Sequence, residues 1–111
     1  MSKTEDTIRM RHMLDAAQKA VAFMDTRGYD DLCKDEQLAL AVVRLLEILG
    51  EAAKKVSEKC RKEYPEIPWR QIAGTRDRLI HGYFDVDLNI VWQIISDDLP
   101  RLIMQLERAL C

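Results

Sequence analysis

The sequence predicts an all-α protein, an up-and-down bundle of three long helices and one shorter helix. Apolar residues recur at intervals of three and four along the chain, which is the period of an amphipathic helix. The 111 residues include only 4 glycines and 3 prolines, few for a β protein with many turns. No stretch alternates apolar and polar residues as a half-buried strand does. This length suits one domain, residues 1–111, and short connections favour antiparallel neighbours.

The first helix is predicted to run to about Asp25 from a cap at Thr4 or Asp6. Its predicted buried stripe comprises Met10, Met13, Leu14, Ala17, Val21 and Met24. We interpret these methionines as adaptable core residues rather than as ligands. Residues 27–29 should end the helix, and Asp30 or Asp31 should cap a short turn after it.

A cap at Asp35 predicts a second long helix that reaches about Glu63. Its apolar face comprises Val42, Leu45, Leu46, Leu49, Ala52, Ala53 and Val56. Arg44, Glu47 and Glu51 share the opposite side at spacings of three and four. Two interpretations stand for that side: a solvated ladder of charges, or a surface that lines an active cleft or a second subunit.

The last helix is predicted to begin after a cap at Asp87. Its apolar seam alternates by four and three, as in a coiled coil: Leu88, Trp92, Ile95, Leu99, Leu102, Leu106 and Ala109. Pro100 lies within this helix and should interrupt it with a kink.

A shorter helix is predicted from Pro68, which suits a first helical position, to Gly82, which should end the helix. Its apolar stripe comprises Trp69, Ile72, Ala73, Leu79 and Ile80. Arg76 comes seven residues after Trp69, so the spacing places it in the middle of that stripe. A core-facing arginine is unfavourable unless it is paired or opens onto a wet cleft.

Charged and aromatic side chains gather at the end of this predicted helix. His81 should lie at the negative end of the helix dipole, which favours its protonated form. Asp77 precedes it by one turn and could orient the imidazole, and Tyr83 lies just beyond Gly82. A structural interpretation is equally open at this point, in which Arg76 pairs with a buried carboxylate and His81 caps the helix.

Composition limits the kinds of site that the chain can hold. The net charge of −2 argues against a broad nucleic-acid-binding face, so any such contact must be local. The basic cluster formed by Lys54, Lys55, Lys59, Arg61 and Lys62 is interpreted as solvated surface, with guidance of RNA as the alternative. The three cysteines are odd in number and form no Cys-x-x-Cys pair, and the two histidines are far apart. We therefore expect no disulfide, no metal and no cofactor.

The chain is expected to be cytoplasmic. Its first six residues are polar and show no apolar signal region. The longest apolar run, residues 38–43, is too short to cross a membrane. Free cysteines also fit a reducing compartment.

Arg76, His81 and Tyr83 together read Arg-x-x-x-x-His-x-Tyr, which resembles the signature of the HEPN ribonuclease superfamily in its HepT-like toxin branch. The resemblance extends to residues 67–74 before the motif and to residues 84–87, 91–92 and 98–100 after it. Upstream, Arg44-x-x-Glu47 and the following residues 48–53 are similar to the second helix of that branch. The resemblance covers most of the chain, from about Asp35 to Glu107.

This resemblance implies a HEPN-like homodimer with a composite cleft and a metal-independent endoribonuclease activity that leaves a 2′,3′-cyclic phosphate. Such toxins are paired with a small nucleotidyltransferase antitoxin, which silences them by attaching AMP to the tyrosine of the motif, here Tyr83. The alternatives are a non-catalytic HEPN module that binds nucleotide or scaffolds a nucleotidyltransferase, and a structural helical dimer whose charges are incidental.

The residue types fit cleavage of RNA by its own 2′-hydroxyl. Histidine suits proton transfer because imidazole titrates near neutral pH, so His81 is the predicted acid and base. Arginine stays charged and binds two phosphate oxygens at once, so Arg76 is the predicted phosphate ligand. Asp77 is the predicted orienting group, and Arg78 is either a second phosphate ligand or a surface residue. One motif histidine per chain is too few for separate acid and base roles, which also favours a dimer.

Overall fold

Two long helices packed against each other form the centre of the protein. The computed structural model describes residues 3–83 and 85–111. Helices α1 and α3 make the most extensive contact, and α8 packs on α1. The helices are α1 (Lys3–Phe23), α2 (Tyr29–Lys34), α3 (Glu36–Lys54), α4 (Glu58–Glu63), α5 (Trp69–Ala73), α6 (Thr75–Leu79), α7 (Leu88–Gln93) and α8 (Leu99–Leu110), with strands β1 (Ile80–His81) and β2 (Asp85–Val86). The all-α prediction is confirmed.

The core lies between the apolar faces that the spacing predicts. Its fully buried side chains come from every long helix and include Met13, Val42, Leu46, Leu49, Leu99 and Leu106. Of the stripe predicted for α1, Leu14 and Val21 are only half-buried and the remaining members are buried. Each fully buried side chain of this size contributes about 1.5–3 kcal/mol, so this core is the main source of stability.

The helix caps predicted at Asp35 and Asp87 are present. The Asp35 carboxylate accepts a hydrogen bond from the Leu38 N–H at 3.1 Å and begins α3. The Asp87 carboxylate accepts from the N–H groups of Asn89 and Ile90 and begins α7. The cap predicted at Asp30 or Asp31 was wrong, because Gly28 is the cap of α2 and both aspartates lie within that helix, although the Asp31 carboxylate accepts from the Gly28 N–H at 2.8 Å. The cap proposed for α1 was wrong, because Thr4 and Asp6 both lie within that helix.

The second long helix ends at Lys54 rather than near Glu63. Ser57 begins the separate helix α4, where its hydroxyl accepts a hydrogen bond from the Cys60 N–H at 3.2 Å. Arg61 donates through Nη2 to the Ala53 carbonyl oxygen at 2.8 Å, a carbonyl near the end of α3 that also accepts from the Val56 N–H at 3.2 Å. Arg61 therefore stabilises a helix end and does not belong to the solvated basic cluster.

Ser57 also joins α4 to α1 through a buried acid. Asp6 is 6% exposed, and its two carboxylate oxygens accept from the Ser57 N–H at 2.8 Å and the Ser57 hydroxyl at 2.6 Å. Burial alone would raise the pKa of Asp6, but the hydrogen bonds from Ser57 lower it below its ordinary value. The ionised form of Asp6 is thus the form that the folded chain favours.

The interruption expected at Pro100 is a π-helical segment, Ile94–Asp98, that joins α7 to α8. The Leu99 N–H donates to the carbonyl of Ile94, five residues back, as in a π-helix. Pro100 is the second residue of α8 and follows directly on this segment.

The shorter helix predicted from Pro68 to Gly82 is instead two short helices and a hairpin. Pro68 is the residue before α5, and Gly74 separates α5 from α6. The Thr75 hydroxyl donates a hydrogen bond to the Ile72 carbonyl at 2.6 Å, so this carbonyl has a side-chain donor at the break between α5 and α6. Strands β1 and β2 then pair antiparallel, so the expectation of no strand was wrong here. Phe84, part of the family resemblance, lies outside the described residues.

Among the described residues, no helix is long and apolar enough to cross a membrane.

The Asp6–Ser57 link predicts an acid-sensitive contribution to stability. Asp6→Ala should destabilise the protein by about 2 kcal/mol at neutral pH, because it leaves the Ser57 N–H without an acceptor. Since the folded-state pKa is lowered, the wild-type advantage should be present above about pH 4 and decline as the pH falls through the folded-state value. Thermal melts at neutral and acidic pH measure this. Asp15→Ala, which removes an exposed pair with Lys19, is the control. An Asp6→Ala effect that does not change with pH would contradict this account.

Candidate active site

The segment that carries the motif packs closely against α3 at Gly50. A side-chain Cβ at this position would lie 3.1 Å from the Ile72 carbonyl oxygen and 3.6 Å from the Thr75 Cβ. A Cβ contact of 3.1 Å is rare, so the close approach of the Ile72 carbonyl to α3 depends on the missing side chain. Glu47 precedes Gly50 by almost one helical turn. This packing therefore brings α6 alongside the carboxylate of Glu47.

Arg76 on α6 forms an ion pair with Glu47. Its Nε lies 3.5 Å from Glu47 Oε2, and the side chains are 50% and 24% exposed, respectively. The spacing placed Arg76 in the apolar stripe, but the buried residues of α6 are Thr75 and Leu79. That prediction was wrong because the break at Gly74 changes the helical phase of everything after it. Within the described ranges, the two Nη groups of Arg76 have no ion-pair or hydrogen-bond partner.

His81 is exposed on β1, two residues beyond the end of α6. The expectation that it lies at a helix end was therefore wrong. Asp77 is also exposed, and no hydrogen bond joins it to His81 in the part of the chain that the structure describes. The helix ends between the two residues, so the one-turn relation that the spacing predicted does not exist. Asp85 instead lies directly opposite His81 in the hairpin.

Tyr83 follows Gly82, whose φ of +76° is in the left-handed region that favours glycine. Gly82 was expected to end a helix, but it turns the chain between β1 and β2. The Tyr83 side chain is 86% exposed, which makes it accessible from solvent.

Arg78 faces a different part of the surface. Its Nη1 lies 3.9 Å from Asp98 Oδ2 on the π-helical segment. It borders a groove of about 350 Å³ between the motif segment and α8, whose lining also includes Leu49, Gln71, Ile72, Asp97, Arg101 and Leu102. Arg76, His81 and Tyr83 do not line this groove.

The other two candidate residues on α3 lie near Glu47 in the sequence but take no part in its ion pair with Arg76. Arg44 is exposed one turn earlier. Glu51 forms an ion pair with Lys54 at 3.4 Å, in which both side chains are about half exposed. Glu51 therefore fits the interpretation as part of a solvated ladder of charges, whereas Glu47 contacts Arg76 of the motif.

Sequence reasoning overlooked Gly50, Thr75 and Asp85. A glycine inside a strong helix pattern does signal close backbone approach, so Gly50 could have been recognised. The roles of Thr75 and Asp85 depend on a helix break and a hairpin register that the apolar pattern does not specify.

The arrangement provides an arginine with a free outer edge and an exposed histidine on adjacent elements. Arginine suits phosphate oxygens, and histidine suits proton transfer. Among the described residues, no group of three His, Cys, Asp or Glu side chains is placed to hold a metal ion.

The chain matches known proteins along most of its length. A family model described as ribonuclease HepT-like matches residues 13–109. A protein of Thermococcus cleftensis named "Probable ribonuclease HepT" is 43% identical over 74 residues, or 67% of each chain. A candidate RNase of Caldanaerobacter subterraneus is 37% identical over 101 residues, covering 91% of this chain and 90% of the relative. Another from Methanocaldococcus jannaschii is 31% identical over 107 residues, 96% and 98% of the two chains. No solved structure matches.

The contact at Gly50 gives a direct test of how the motif segment is positioned. Gly50→Leu should lower stability by roughly 1–3 kcal/mol, because the added side chain must displace the Ile72 carbonyl. Denaturant unfolding measures the change. Gly28→Ala is the matched control, since a Cβ there meets nothing within 4 Å. If Gly50→Leu were as stable as the wild type, the close contact would not position α5 and α6.

Proposed function

The chain belongs to the ribonuclease HepT-like family, and from this premise we propose that it is an endoribonuclease that cleaves RNA without a metal ion. The observation that carries the proposal is the pairing of Arg76 with Glu47 through Nε, which leaves the outer edge of the guanidinium unpaired on α6, while His81 lies on β1, the element that follows α6. The match to residues 13–109 also supports one catalytic domain over residues 1–111.

The proposed reaction uses the RNA's own nucleophile. The 2′-oxygen attacks the adjacent phosphorus as its proton passes to a base, and the bond from phosphorus to the 5′-oxygen breaks as that oxygen takes a proton. The products are a 2′,3′-cyclic phosphate and a 5′-hydroxyl. His81 is proposed for proton transfer, because it is exposed and imidazole can act as acid or base near neutral pH. Arg76 would stabilise the charge on the crowded phosphorus.

The remaining candidates have less support. Asp77 is a weaker candidate to orient His81, because the structure shows no hydrogen bond between the two described side chains. Arg78 already faces Asp98 and lies on another groove, so a phosphate-binding role would require RNA that extends there. Exposed Arg44 and the paired Glu51 are candidates only for lining the cleft.

A homodimer would supply the second proton-transfer group. The chain has only two histidines, and His12 is on α1 while His81 is on β1. Two protomers with their hairpins near a two-fold axis would bring two copies of His81 to one composite cleft. The exposure of His81 and Tyr83 supports this, since a shared cleft needs both groups at the surface.

We further propose that the chain is the toxin of a toxin–antitoxin module and that a small nucleotidyltransferase attaches AMP to Tyr83. The tyrosine is accessible and stands two residues after His81. An attached AMP would place a negative phosphodiester near Arg76 and obstruct access of RNA. One modification would thereby hinder binding and chemistry together.

A non-catalytic HEPN module that binds nucleotide or scaffolds a nucleotidyltransferase is the second candidate. The observation that favours it concerns His81: among the described residues no hydrogen bond joins Asp77 to His81, so Asp77 does not orient the imidazole for proton transfer.

Cleavage assays on single variants separate the two candidates. His81→Ala and Arg76→Ala should each reduce RNA cleavage by about 10²-fold or more, because proton transfer and charge stabilisation are lost. Melting temperatures should change little, since both side chains are exposed. The assay uses total RNA with a chelator present, and His12→Ala and Arg108→Ala serve as controls. Full activity of His81→Ala, or complete inhibition by the chelator, would overturn the mechanism.

The modification of Tyr83 is tested by intact mass and peptide mapping after incubation with the cognate nucleotidyltransferase and ATP. We expect AMP on Tyr83 and loss of RNA cleavage. Tyr83→Phe should remain active and unmodified, whereas Tyr29→Phe and Tyr64→Phe should behave as the wild type. Modification and silencing of Tyr83→Phe would place the acceptor elsewhere.

A further inference from the structure

We infer that Glu47 is a positioning residue for Arg76: it holds the guanidinium by one edge and so aims the opposite edge at an RNA phosphate. The inference rests on the proposed function for its substrate, and on the ion pair for its geometry. It gives a role to a residue on α3 that the motif does not include.

The atoms in contact favour this role. Glu47 Oε2 faces Nε, the inner nitrogen of the guanidinium, at 3.5 Å. The two Nη nitrogens, which have no partner among the described residues, form the outer edge. Two parallel N–H groups there match two oxygens of a phosphate. A carboxylate bound across both Nη groups would occupy the same positions, so this ion pair orients Arg76 without filling its phosphate-binding edge.

Glu47 is the more firmly held member of the pair. It lies on α3, which packs against α1 in the centre of the bundle, and its side chain is 24% exposed. Arg76 is twice as exposed and lies on the five-residue helix α6. The contact at Gly50, almost one turn after Glu47, fixes α6 against α3. A long flexible arginine thus takes its direction from a carboxylate on a rigid element.

The Glu47–Arg76 ion pair contributes little to the stability of the folded protein. Ion pairs in which one member is half exposed are screened by water and stabilise the folded state weakly. Removal of Glu47 should therefore affect the melting temperature much less than it affects the behaviour of Arg76.

The carboxylate should also act against substrate affinity. Glu47 partly neutralises the charge of Arg76, so it weakens the attraction between that arginine and an RNA phosphate while it orients the arginine. Its removal should tighten RNA binding but slow turnover. A merely structural residue would not move KM and kcat in this combination.

The kinetic test compares Glu47→Ala with the wild type in steady-state RNA cleavage. We expect kcat to fall roughly 10- to 100-fold, because misorientation of a catalytic group by about 1 Å has effects of this size, and KM to fall as well. Glu47→Gln keeps an oxygen that can accept from Nε and should recover part of kcat. Glu58→Ala, which removes the carboxylate of an exposed ion pair with Lys62, should match the wild type. Equal kcat in Glu47→Ala and the wild type would overturn the inference.

A double-mutant cycle of RNA-binding affinities shows whether Glu47 acts on RNA binding through Arg76. Affinity for a 2′-deoxy-substituted, uncleavable RNA is measured for Glu47→Ala, Arg76→Gln and the double variant. Loss of Glu47 should tighten binding only when Arg76 is present. The same gain in both backgrounds would indicate a general charge effect and would refute a specific action on Arg76.

A third measurement is independent of ribonuclease activity. The Nε–H signal of Arg76, assigned by its loss in Arg76→Gln, reports side-chain order through its heteronuclear NOE. It should indicate an ordered group in the wild type and a mobile one in Glu47→Ala. Equal order in both proteins would overturn the positioning role. Loss of order in the variant, with no cleavage by the wild type, would support the positioning of Arg76 and reject the proposed catalysis.

Discussion

The candidate site depends on the close approach of α5 and α6 to α3 at Gly50. A Cβ at Gly50 would lie only 3.1 Å from the Ile72 carbonyl oxygen, and the proximity that the glycine allows places α6 next to Glu47. The buried side chains of Ile72 and Leu79 hold the same segment in the core. Burial of apolar side chains thus stabilises the packing of α5 and α6 against α3, while the absence of a side chain at Gly50 allows their close approach.

The same packing explains why the segment is broken. A continuous helix from Pro68 to Gly82 would have kept Arg76 in the apolar stripe and driven its charge into the core, which is unfavourable. The break at Gly74 lets Thr75 and Leu79 enter the core instead and turns Arg76 outward to a carboxylate. The hydroxyl of Thr75 binds the Ile72 carbonyl at the break, so this acceptor is not left unpaired. The irregular backbone therefore keeps one guanidinium out of an apolar interior.

The proposed chemistry suits a site at the surface. RNA is a large polyanion that must approach along its backbone, and His81 is exposed on β1 of the hairpin. The chain has a net charge of −2, so attraction to RNA has to come from particular groups such as Arg76 rather than from a broad positive field. The carboxylate of Glu47 would orient Arg76 while lowering its affinity for a phosphate. Orientation gained at the expense of affinity for the bound substrate is expected of a group that acts in the transition state.

The sequence by itself determined the helical class, the apolar faces of α1, α3 and α8, the caps at Asp35 and Asp87, and the family to which the chain belongs. These features are local or periodic, so residue spacing records them directly. Tertiary structure alone decided the end of α3 at Lys54, the break at Gly74, and the positions of Arg76 and His81. The break involves contacts between segments far apart in sequence, such as that of Gly50 with Ile72, and apolar spacing contains no information about them. Glu47 and Arg76 are 29 positions apart in the sequence, and only the packing of α6 on α3 makes them partners.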